Sequence, residues 1–215
     1  DECFRFEESI IPYSLYLLGL DITLPIDVIQ AHLESLCDQM TSSDRAVVVF
    51  FGSKIVVAGV VNGIPTFLHQ KKPAKLAPES SFLSTQDLRV IMEALPLLKS
   101  IWYPALKHKT DEILNVVYGL TNGLPSLVTL IFNQELSSLE KFDTEDFGKK
   151  VATIGSTINI GCNTIQKELV DIVRFSGGTV FSLGNATKGT LKNVYKVANQ
   201  AFVSVYVPTT TKFEG

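Results

Sequence analysis

From Ile113 through Gln134 the chain carries no charged side chain: ILNVVYGLTNGLPSLVTLIFNQ, fenced by Asp111 and Glu112 on one side and Glu135 on the other. An uncharged run of this length belongs in the buried centre of a domain or in a membrane. Thr121-Asn122-Gly123-Leu124-Pro125 interrupts it, and Gly and Pro there predict a break into two short helices. The first would carry Ile113, Val116, Val117 and Leu120 inward. Pro125 would open the second, with Leu127, Val128, Leu130 and Ile131 apolar.

The rest of the chain is thinly charged. Asp, Glu, Lys and Arg make up 19% of the 215 residues, against about a quarter in an ordinary soluble domain. Such a surface is either polar without charge or covered by a partner. The length suits one domain, 1–215, with the Pro/Lys/Ser loop 71–84 as the best internal boundary. A net charge of −3 gives no long-range attraction to nucleic acid. The small basic clusters Lys71-Lys72 and Lys107-His108-Lys109 read as solvated loops, so nucleic acid is disfavoured as a partner.

Local patterns predict the following elements. Ser9–Leu20 reads as a strand, and Leu24-Pro25 opens a helix with Ile26, Ile29, Leu33, Leu36, Cys37 and Met40 on one stripe. Ala46–Phe51, Lys54–Val61 and Ile64–His69 form a three-stranded antiparallel meander joined at Gly52-Ser53 and at Asn62-Gly63, a type I′ pair. A helix follows from Thr85, kinked or ended by Pro96. Asp143-Thr144-Glu145-Asp146 caps what reads as one long helix over 144–176, roughly 48 Å, ending at Gly177-Gly178. Strands return at Thr179–Leu183, Thr190–Val197 and Ala201–Val207. The expected fold is α+β: an antiparallel sheet, made of the N-terminal meander and the C-terminal strands, packed against a helical layer with one long central helix.

No catalytic, cofactor or metal constellation is legible. Gly184-Asn185-Ala186-Thr187-Lys188-Gly189 has Lys before the second Gly and a strand after it, unlike a P-loop. His32, His69 and His108 lie apart from any nucleophile, and Ser156 lacks a nucleophile elbow. Cys3, Cys37 and Cys162 show no metal spacing and allow at most one disulfide. Asn185-Ala186-Thr187 is a glycosylation sequon in an accessible turn. The chain opens on Asp1 rather than Met, as a processed secreted product or a trimmed one would.

Surface recognition and apolar burial remain. The first reading is a non-enzymatic, self-assembling or protein-interaction subunit, a viral structural subunit being one example, that oligomerises through apolar, weakly charged surfaces. Its alternative is a secreted membrane-active, pore-forming or lipid-binding protein using helices 110–139. An enzyme without a readable motif is third. Trp102 and Tyr103, beside a basic loop, would suit a membrane belt. With Leu124, Leu127, Val128, Ile131 and Phe132 they are the candidate interaction or membrane residues, and the partner is a second copy, another protein or a lipid.

Overall fold

The computed structural model describes residues 6–10, 15–52, 54–69, 77–101, 110–121, 124–133, 142–183 and 201–205. In chain order these hold β1 (Phe6–Ile10), β2 (Leu15–Asp21), α1 (Ile26–Cys37), β3 (Arg45–Phe51), β4 (Ile55–Val61) and β5 (Ile64–His69). A 3-10 turn (Glu79–Ser81), α2 (Thr85–Ile101), α3 (Thr110–Thr121) and β6 (Leu127–Phe132) follow. The last elements are α4 (Thr144–Thr153), β7 (Thr157–Cys162), α5 (Lys167–Ser176), β8 (Val180–Ser182) and β9 (Ala201–Val205).

Seven strands form one sheet in the order β5-β4-β3-β2-β6-β7-β8, and β1 pairs with β9 as a separate antiparallel ribbon. In the large sheet β3-β2, β2-β6, β6-β7 and β7-β8 are parallel. The pairs β3-β4 and β4-β5 are antiparallel. The α+β expectation, an antiparallel sheet against one helical layer, is thus overturned by a mostly parallel α/β sheet covered on both faces. The meander keeps its expected place, now as one wing of the sheet. At its tip Asn62 and Gly63 have φ of 52° and 75°, the left-handed pair a type I′ turn requires.

Parallel strands need both faces covered, and side-chain alternation supplies two separate cores. On one face Leu17 lies in register with Val47 and Val128. With Ile158 and Ile160 these residues pack against α3 (Leu114, Val117, Leu120), α4 (Phe147, Val151) and α5 (Leu169, Ile172). On the other face Leu18, Leu20, Val48, Phe50 and Ile131 meet α1 (Ile29, Leu33, Leu36) and α2 (Leu88, Ile91, Leu95). Cys37 packs against the second core and Cys162 belongs to the first, so the sheet separates these two free thiols.

Two expected helices are strands. The partner helix after Pro125 is β6, a central strand buried along its whole length. The single helix over 144–176 is α4, then β7, then α5. Asp143 does cap α4, its Oδ1 accepting from the Asp146 N–H at 2.8 Å. The helix ends ten residues on at Thr153, and Gly155 just beyond it, with a φ of +74°, leaves the right-handed region. The far end is as expected: Gly177 is left-handed, and the Gly178 N–H returns to the Val173 carbonyl at 3.2 Å.

Elsewhere the differences are smaller. The expected strand over 9–20 is split, with β1 and β2 in different sheets. Helix α2 runs through Pro96 to Ile101. The strand expected over 190–197 lies outside the described residues, as do residues 71–76 of the loop 71–84. The described part of that loop is tied down by Leu83, which exchanges backbone hydrogen bonds with Ala46 of β3 at 2.8 and 2.9 Å.

Candidate functional site at the strand ends

The order of strand addition switches sides at β2. The crossover through α1 leads to β3 on one side of β2, whereas the later crossover through α2 and α3 delivers β6 to its other side. Helices α1 and α3 pack on opposite faces, so a crevice opens beyond the carboxyl ends of β2 and β6. In open α/β sheets this is where ligands bind.

Polar side chains gather there. Asp21 ends β2 and is buried, with 5% of its surface exposed. Its Oδ1 accepts from the Thr23 N–H at 2.9 Å and from the Thr23 hydroxyl at 2.7 Å. Its Oδ2 accepts from the backbone N–H of Asn133, the residue after β6, at 3.1 Å. The Asn133 side-chain amide donates to Thr23 Oγ1 at 3.0 Å. Asn163, just past β7, donates from Nδ2 to the Asn133 carbonyl at 2.7 Å. Four residues thereby link the ends of three parallel strands. Beside them, the Lys99 ammonium of α2 donates to the Leu24 carbonyl, holding the turn that leads into α1. The rim past β7 is open to solvent, and Ile165 is half exposed.

The residues singled out in the sequence lie elsewhere. Leu127, Val128, Ile131 and Phe132 are interior to β6, each no more than 3% exposed. Leu124 is partly exposed at the opposite end of that strand. Trp102, Tyr103 and Asn185 lie outside the described residues. His32 is buried in α1, where loss of solvation pushes its imidazole down to about 4. His69 ends the exposed edge strand β5. Burial raises the Cys37 and Cys162 thiols, the opposite of activation. The strand-end cluster had a signal that went unread: Asp21, Asn133 and Asn163 each follow directly on an apolar run.

No protein-family model matches the sequence, and no curated protein matches it. Solved structures do match in fold. The chain is similar to the human COPII-coat protein Sec24c, with 10% identity and a TM-score of 0.57 over 87% of this chain and 33% of that one. It is also similar to a von Willebrand factor type A protein from Catenulispora acidiphila, with 13% identity and a TM-score of 0.52 over 87% of this chain and 42% of that one. Proximal thread matrix protein 1 from the mussel byssus, with zinc in its MIDAS motif, has 12% identity and a TM-score of 0.55 over 93% of this chain and 49% of that one. The fold is therefore von Willebrand factor A-like. The chain spans a third to a half of the length of these three neighbours.

A metal ion at these strand ends would need oxygen or nitrogen lone pairs facing inward. The described strand-end residues supply one carboxylate, and three donors already point at its two oxygens. The Asn133 and Asn163 side chains present N–H groups to Thr23 and to the Asn133 carbonyl. Among the described residues no three His, Cys, Asp or Glu side chains group together as metal ligands. The cluster does not fit a divalent cation.

Proposed function

We propose that the protein is a non-catalytic protein-interaction domain that presents its strand-end crevice and rim to a polypeptide partner. One observation carries this reading: the seven-stranded sheet and its helices match, over most of the chain, a coat protein and a thread matrix protein. Both names denote assembled structures. The crevice supports it, because Asp21, Thr23 and Asn133 bond to one another and so tie the strand ends into a fixed surface. The rim at Asn163 and Ile165 offers amide and apolar surface without charge, which suits a protein face better than an anionic ligand.

The membrane alternative finds no support in the secondary structure. It required a helical pair over 110–139, but 127–132 is a strand bonded on both sides within the sheet. Among the described residues no helix is long and apolar enough to cross a membrane.

The test is a double substitution on the rim, Asn163→Arg with Ile165→Asp. The wild-type protein, cross-linked in its native extract, is expected to carry a stoichiometric polypeptide companion that the double variant loses at unchanged thermal stability. Light scattering at two concentrations separates a second copy of the chain from a different protein. A wild-type protein that is monomeric in both assays would overturn the proposal.

A further inference from the structure

We infer that the strand-end cluster is a metal-independent clasp, held together by hydrogen bonds that converge on a buried carboxylate. Donors from one strand end and one turn converge on Asp21. Thr23 supplies two hydrogen bonds to Oδ1, and Asn133 supplies one to Oδ2.

The chain of donors has one consistent direction. Asn163 donates to Asn133, Asn133 donates to Thr23 and to Asp21, and Thr23 donates to Asp21. A divalent ion entering at Asp21 would face the Thr23 hydroxyl proton and two backbone N–H groups. It could bind only after those donors turned away and lost their partners in a buried site, where unpaired polar groups are costly. Charge-assisted bonds to a buried carboxylate are also the stronger kind. The clasp thus holds β2, β6 and β7 in fixed relation without a cation. Resting on the interaction reading above, recognition on this face needs no divalent ion; the clasp itself does not depend on any partner.

The experiment is thermal unfolding of the wild-type chain, Asp21→Asn and Thr23→Val, each in EDTA and with excess Mg²⁺, Mn²⁺ or Zn²⁺. The wild type is expected to melt at one temperature in all four conditions. Asp21→Asn turns an acceptor into a donor facing N–H groups and should lower the melting temperature on the order of 5 °C. Thr23→Val keeps the branched shape, removes the hydroxyl relay and should lower it less, so the test survives if Asp21→Asn fails to fold. Equal metal shifts in wild type and Thr23→Val would place any ion elsewhere and support the clasp. A saturable rise in the wild type that Thr23→Val abolishes would overturn it, whatever the companion assay shows.

Discussion

Ile131 has no exposed surface and lies in the core between the sheet and helices α1 and α2. Ile131→Asp would place a carboxylate there without a partner. Unfolding in urea should show a loss on the order of 4 kcal/mol or more, and Leu127→Asp should behave alike. An unchanged midpoint would mean that β6 is not the interior strand described. His32 sets a pH dependence of definite sign. Its imidazole titrates near 6.5 when unfolded and at about 4 when folded, so between those values the unfolded chain binds the extra proton. Stability is complete above pH 6.5 and falls as pH drops toward 4, by about 3 kcal/mol. Melting temperatures of the wild type and His32→Leu across pH 4–7 would test this, because the variant should lose that part of the slope.

At the scale of elements, two short strands were hidden inside runs that look helical. LVTLIF and TINIGC are buried at every position, and a strand covered on both faces loses the alternation that announces a strand. Ile154, Ile158, Cys162 and Ile165 also recur at steps of three and four, which imitates a helical stripe. Exposed or capped features were legible: the Asn62-Gly63 turn, the Asp143 cap and the Gly177 stop each depend on local chemistry alone. The strand-end cluster was legible only in part: Asp21, Asn133 and Asn163 each follow an apolar run, but Asp21 and Asn133 lie more than a hundred residues apart. They meet only once the strand order is known. The break at Gly155 can be tested directly. Gly155→Val forces a branched residue to a φ of +74°, and should cost about 1–2 kcal/mol in thermal unfolding without converting α4 and β7 into one helix. A gain in helical circular dichroism would contradict that assignment.

For the whole molecule, a single sheet divides two cores, and its strands should differ in protection. β2, β3 and β6 have neighbours on both sides and helices over both faces. β5 and β8 are edges, and β5 is largely exposed. Amide hydrogen exchange should therefore be slowest in β2, β3 and β6 and fastest at the edges; uniform protection would contradict the layered arrangement. The parallel centre also has a temporal consequence. β2 leaves the ribosome just ahead of β3 and the meander, with which it is joined at short range, but its other neighbour, β6, is more than a hundred residues downstream. Until residue 132 has left the ribosome, the nascent half-sheet presents β2 as a bare, largely apolar edge. Loop closure over that span is slow to be rewarded, and an unpaired edge invites strands from other chains. The interval between the synthesis of β5 and that of β6 is when this protein most needs a chaperone.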